Sequence, residues 1–184
     1  MQDRLETVEI SNYKAPRISK QTARNTKVAA QLKNASESKI TRFLEKGENW
    51  LEFTAPVFTT SEANGGVKRV YKRGGKTCYK SEHWTEKDRR HKLQKGAIAL
   101  MLRPQKKHLP YPCEITLTRY APDKLDRFDN LPMSLKWILD AVCAEITGDY
   151  RPGRADDYEG IVNVHYKQVI SKSYGIKVRV EGIS

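Results

Sequence analysis

The sequence predicts an α/β (α+β) fold: a mixed β-sheet packed with helices, carrying a basic β-ribbon and an N-terminal arm. Three observations predict it. Segments at residues 50–54, 114–120, 161–169 and 174–181 alternate apolar and polar side chains at period two, as half-buried strands do. Two other stretches, 81–102 and 130–148, repeat apolar residues at helical spacing instead. A basic segment, 67–72, lies between the turn formers Asn64-Gly65-Gly66 and Arg73-Gly74-Gly75, the pattern of a β-hairpin.

Residues 1–47 stand apart from the rest. They are rich in Lys, Asn, Ser, Gln and Thr with few large apolar side chains, which predicts an arm that is disordered or weakly helical. Val28, Leu32, Ile40, Phe43 and Leu44 would form the apolar side of such a helix, ending near Gly47. Residues 48–184 form the folded domain. Its first strand, Trp50-Leu51-Glu52-Phe53-Thr54, stops before Pro56, and the basic ribbon follows. Ser81 or Glu82 opens a helix that reaches about Leu102, with Pro104 beyond its end. Leu93, Ala97, Leu100 and Met101 share one face of it, and Lys87, Arg90 and Lys95 take the outer face. Pro110 and Pro112 precede the next strand, where Ile115, Leu117 and Arg119 alternate with Thr116 and Thr118.

Asn130 is a good N-cap for the second helix, and Pro132 suits a first turn whose N–H groups lack helical partners. Leu131, Leu135, Ile138, Leu139, Val142 and Ile146 then make one continuous apolar stripe that ends near Gly148. After a loop containing Pro152 and Gly153, Val162, Val164 and Tyr166 share one face of a strand. Ile176, Val178 and Val180 share one face of the last strand.

Charge narrows the function classes. The chain has 184 residues, with 34 Lys and Arg against 22 Asp and Glu, a formal net charge of +12. Between residues 67 and 107 fourteen basic side chains face three acids, a net of +11, so nearly all the excess lies in one stretch. Such a concentration is the electrostatic footprint of a polyanion binder, because Lys and Arg bind nucleic acid by neutralising phosphates. Arg69, Lys72, Arg73, Lys76, Lys80, Lys87 and Arg90 are the candidate DNA contacts. No apolar run approaches the roughly 18 residues of a membrane span. Cys78, Cys113 and Cys143 are odd in number and far apart, offering no pair spaced for a zinc site and no disulfide framework, which fits a reducing, cytoplasmic setting.

Acids gather at two places. Asp126, Asp129 and Asn130 lie where the 114–120 strand hands over to the second helix. Lys136 and Asp140 follow Asp129 by seven and eleven residues, on the side of the helix away from the apolar stripe. Asp156, Asp157 and Glu159 precede the 161–169 strand. Carboxylates clustered at element ends suit a hard cation such as Mg2+. The same residues also suit a helix cap, a solvated Lys136–Asp140 pair and an ordinary polar loop.

The run Tyr120-Ala121-Pro122-Asp123-Lys124-Leu125-Asp126-Arg127-Phe128-Asp129-Asn130-Leu131, then Lys136 and Asp140-Ala141-Val142, resembles the core of the RusA-like endonucleases. Gly153-Arg154-Ala155-Asp156-Asp157, with Val162 and Tyr166-Lys167-Gln168 after it, resembles that family too. Upstream, Ser61-Glu62-Ala63-Asn64, the Gly74-Gly75 turn and Ser81-Glu82-His83-Trp84 are similar to its first strand, loop and helix. The likeness covers about residues 49–184. It implies a crossover junction endodeoxyribonuclease: a Mg2+-dependent homodimer that resolves four-way (Holliday) junctions in DNA recombination and repair by paired nicks.

Catalytic roles for Asp126, Asp129, Lys136 and Asp157 follow from the resemblance, as does metal ligation by Asp126, Asp129, Asp156 and Asp157. Asp129 matches the Asp before Asn in the family's DxDN motif, and Lys136 its lysine. At the first carboxylate the sequence departs: Arg127 stands two residues before Asp129, and Asp126 stands three before. On a regular strand one residue of offset reverses side-chain direction, so Asp126 needs a loop or bulge to reach the site. In the assembled site Asp129 and Asp156 or Asp157 should share one cation, with Asp126 approaching it. The alternatives are a RusA-like binder of structured DNA without cleavage, and a non-enzymatic basic RNA- or ribosome-associated module.

Overall fold

A computed structural model describes residues 43–63, 68–151 and 157–183. Val28, Leu32 and Ile40, the Asn64-Gly65-Gly66 turn and Asp156 lie outside the described residues. The strands are β1 (Phe43–Lys46), β2 (Trp50–Ala55), β3 (Lys68–Arg73), β4 (Lys76–Ser81), β5 (Cys113–Ala121), β6 (Ile161–Ile170) and β7 (Gly175–Gly182). The helices are α1 (Trp84–Leu102), followed by a 3-10 turn over Arg103–His108, and α2 (Asn130–Thr147). Five strands form one mixed sheet in the order β1-β2-β7-β5-β6, while β3 and β4 form a separate ribbon. Among the described residues only β5 and β6 run parallel in the sheet, because α2 is the crossover that returns the chain to the starting end.

Burial explains this arrangement. Leu51, Phe53 and Ala55 of β2, Ile115 and Leu117 of β5, and Ile176, Val178 and Val180 of β7 all enter one core. Ile98, Met101 and Leu102 of α1 and the α2 stripe, Leu131, Leu135, Ile138, Leu139 and Val142, meet them there. Ile138 is fully buried, so its truncation to Ala would cost about 2–5 kcal/mol. The opposite register of the strands is polar: Glu52 pairs with Lys177 at 2.8 Å, and Arg179 with Glu181 at 2.9 Å. At its end α2 closes on Gly148, whose φ of 76° is the left-handed conformation that favours a residue without a Cβ.

Four readings change in detail. Phe43 and Leu44 belong to an edge strand paired with β2, so the folded domain begins before residue 48; four residues are too few to display a period. α1 starts at Trp84, because Ser81 still pairs in the ribbon. Its buried residues are Arg90, His91, Gln94, Ile98, Met101 and Leu102, so Arg90 is not on an outer face, and the Leu93–Leu100 side is only half-buried. In β6 the register shifts opposite Cys113 and Glu114. That irregularity lets Ile161, Val164 and Tyr166 pack on the core while Val162 is left 57% exposed.

Candidate functional site

The ribbon's turn follows from its glycines. Gly74 and Gly75 have φ of 56° and 77°, the pair of left-handed residues that a two-residue hairpin requires. Arg73 and Lys76 flank them and are exposed. Lys80 pairs with Arg69, and Lys72 with Thr77, along the ribbon backbone.

At the ribbon's base lies a buried charge cluster. Arg90, 1% exposed, donates to Glu62 Oε1 from Nη1 at 3.0 Å and from Nη2 at 2.9 Å, and to Glu82 Oε2 at 2.6 Å. Glu62 precedes β3 and Glu82 follows β4, so one guanidinium ties the two ends of the ribbon to α1. Lys87 reaches Glu62 Oε2 at 2.7 Å, and His91 Nε2 lies 2.5 Å from Oε1. His91 in turn stacks on Trp137 of α2 with ring centroids 3.9 Å apart. Burial pushes the Glu62 carboxyl up, but the bonds from Lys87 and His91 and the Arg90 charge outweigh it and hold it below its ordinary value. Burial dominates at Glu82, whose carboxyl is raised despite Arg90. Burial also lowers His91, against the pull of Glu62.

The second cluster is the turn before α2. It lies in a loop rather than on a strand, so the side-chain reversal expected from the extra residue does not arise. Asp129 occupies the N-cap position without a capping bond from its side chain. Asp126 does the capping instead of Asn130: its Oδ1 accepts from Asp129 N at 2.9 Å, and its Oδ2 from Asn130 N at 3.3 Å and from Asn130 Nδ2. The bond from the Asp129 N–H, followed by that from the Asn130 side chain, holds the Asp126 carboxyl below its ordinary value. Gln168 of β6 brackets this turn, accepting from Leu125 N at 3.0 Å and donating to Leu125 O at 2.7 Å. Asp126, Arg127, Phe128 and Asp129 are all exposed, Phe128 by 85%.

The structure therefore brings Asp126 and Asp129 together but separates both from Asp157. Asp157 sits just before Tyr158, whose hydroxyl donates to Asp149 at 2.9 Å, past the C-terminal end of α2. The two acidic groups lie at opposite ends of an 18-residue helix, about 27 Å long, and at opposite ends of the parallel β5–β6 pair. Within one chain Asp129 and Asp157 cannot share a cation. A crossover helix necessarily carries the chain from one end of a parallel pair to the other, which spacing along the sequence does not reveal. Among the described residues no three His, Cys, Asp or Glu groups are arranged to hold a metal. Lys136 is half-exposed and lies 3.6 Å from Asp140, as an i,i+4 pair.

Of the candidate DNA contacts, Arg73 and Lys76 are exposed, and Lys87 is exposed but ion-paired with Glu62. Arg90 is corrected to a buried structural charge, because acids on both sides of the ribbon enclose it. Sequence reasoning missed Glu62, Glu82 and Ser61. The available signal was the acids flanking an otherwise basic hairpin, Glu62 before it and Glu82 after it. Trp137 stacks on His91, whereas Trp84 is 71% exposed.

Fold and site together define a mixed α/β domain that fixes a basic ribbon on one helix and presents an acidic turn on the next. No family model matches the chain, and no curated protein matches it.

Proposed function

We propose that the chain is a Mg2+-dependent, structure-selective endonuclease that resolves four-way DNA junctions by paired nicks as a homodimer. The observation that carries the reading is the exposed Asp126–Asp129 turn, held by hydrogen bonds from Asn130 and around Leu125 on the same domain as a separate basic ribbon. Mg2+ keeps several waters and is commonly bound by one or two carboxylates together with substrate phosphate. Asp129, whose carboxylate makes no capping bond, and Asp126, which keeps lone pairs beyond its backbone bonds, fit that donor set. The bound cation would polarise the scissile phosphate and acidify a water. Lys136, two turns further along α2, would stabilise charge developing on the phosphate. Exposed Trp84 and Phe128 offer aromatic faces to bases unstacked at a branch point.

Homodimer formation gives Asp157 a place in this reading. β6 ends the five-stranded sheet among the described residues. Two copies pairing antiparallel along β6 would set the start of each strand, with Asp157, toward the end of the other, where Leu125 to Asp129 lie. The reading is tested with a synthetic four-way junction and a matched linear duplex, each with and without Mg2+. Nicking of the junction only, and only with Mg2+, is expected; equal cutting of both or of neither rejects it. One observation favours a second reading, a binder of structured DNA without cleavage: Asp126 is engaged in capping α2 and Lys136 is paired with Asp140. Tight junction binding with no nicking under Mg2+ would select it.

A further inference from the structure

We infer that Ser61 is a positioning residue for the acidic turn, and this rests on the endonuclease reading. Ser61 Oγ donates to Asn130 Oδ1 at 2.5 Å, across 69 residues of sequence. Asn130 Nδ2 donates to Asp126 Oδ2, and Asp126 Oδ1 accepts from Asp129 N. The Asp126 carboxylate takes only donors, so it fixes which end of the amide faces it, and Ser61 holds the amide there by supplying a proton to the other end. With Nδ2 given to Asp126, Oδ1 is left facing Ser61 and takes the serine proton. Turned by half a rotation, the amide would set an oxygen against the carboxylate, two acceptors with no proton between them.

A relay is useful only if its first member is fixed, and the loop carrying Ser61 is held from three sides. Gln94 Nε2 donates to Phe58 O at 2.8 Å, and Arg119 Nε to the buried Thr59 Oγ1 at 3.1 Å. Glu62, the next residue, is gripped by Arg90, Lys87 and His91. Arg90 also holds Glu82 on the far side of the ribbon. The segment that anchors the ribbon's first strand therefore also supports the Asn130 amide that braces Asp126. Ser61 touches neither phosphate nor cation in this scheme; it acts through Asn130.

The full chain with Ser61→Ala, and with Ser61→Thr, which keeps the hydroxyl, tests the assignment. Three quantities are read: amide hydrogen exchange at Asp129 and Asn130, the Mg2+ concentration that half-saturates junction cleavage, and junction affinity without Mg2+. For Ser61→Ala, exchange at both amides should rise about tenfold, as expected for loss of one supporting hydrogen bond. The half-saturating Mg2+ concentration should rise with it, junction affinity should not move, and Ser61→Thr should restore wild-type behaviour. Wild-type exchange at both amides in Ser61→Ala overturns the inference. So does weakened Mg2+-free junction binding with unchanged exchange, which would make Ser61 a DNA contact. If the wild-type chain does not cleave, the endonuclease reading falls, while the exchange measurement still decides the role of Ser61.

Discussion

Each helix begins beside a pair of acids, and the two pairs are opposite in kind. Glu62 and Glu82, next to α1, have side chains only 8% and 3% exposed and are bridged by one buried guanidinium. Asp126 and Asp129, before α2, are exposed, and hydrogen bonds from backbone N–H groups and the Asn130 amide stabilise Asp126. The first pair is a structural joint built from buried charges, in which Glu82 Oε1 and Arg90 Nε are buried without a hydrogen-bond partner among the described residues. The second leaves carboxylate oxygens facing solvent, where an external cation can reach them. Residue types alone do not separate these cases; the charge of the nearest partner does.

The largest expected effect breaks the joint. Arg90→Ala leaves buried Glu82 without its cation and Glu62 with only Lys87 and His91, and loss of one partner of a buried ion pair costs about 3–5 kcal/mol. Urea unfolding should show that loss, while the salt dependence of DNA binding in the folded variant stays at its wild-type slope. On the other helix, Lys136→Ala should lower junction cleavage by about 10²–10³ through lost charge stabilisation. Its unfolding midpoint should barely move, since Lys136 is half-exposed. A large stability loss there would make the Lys136–Asp140 pair structural and erase the contrast.

Smaller effects sharpen it. Replacing Arg73 and Lys76 at the ribbon tip with Ala should flatten the log–log salt slope of junction binding by about 1.8, roughly 0.9 for each phosphate contact. Acid titration separates the acids by sign. Glu62 and Asp126 titrate below their ordinary values when folded, so the unfolded chain binds protons first as pH drops. Their contribution is present above the ordinary carboxylate range and is lost as pH falls through the folded values. Glu82 is raised, so its contribution is present below its ordinary value and is lost as pH rises through the folded one. In Tm against pH, Glu62→Gln should therefore blunt the acid-side loss and Glu82→Gln the loss on the rising side.

What the sequence makes legible follows the same division. The α2 stripe, the alternation of β2, β5 and β7 and the Gly74-Gly75 turn were readable because each repeats a local pattern that burial enforces. α1 misled because its buried face is polar where it meets Glu62, and periodicity counts only apolar residues. β1 was too short to show a period, and the β6 irregularity reversed one residue. The Asp126–Asp129 pairing was legible from neighbouring positions. The distance from Asp129 to Asp157 was not, because it depends on the length and direction of α2, a property of topology rather than spacing. The Ser61–Asn130 contact spans 69 residues and leaves no periodic trace.

The central claim is that the exposed pair before α2 serves chemistry, whereas the buried pair beside α1 serves structure. Asp129→Asn tests it most directly, keeping the size of the side chain while removing the charge that a hard cation requires. Junction nicking in Mg2+ is measured beside Mg2+-free junction binding and the unfolding midpoint. The account predicts that nicking collapses while binding and stability persist; wild-type nicking by folded Asp129→Asn would contradict it.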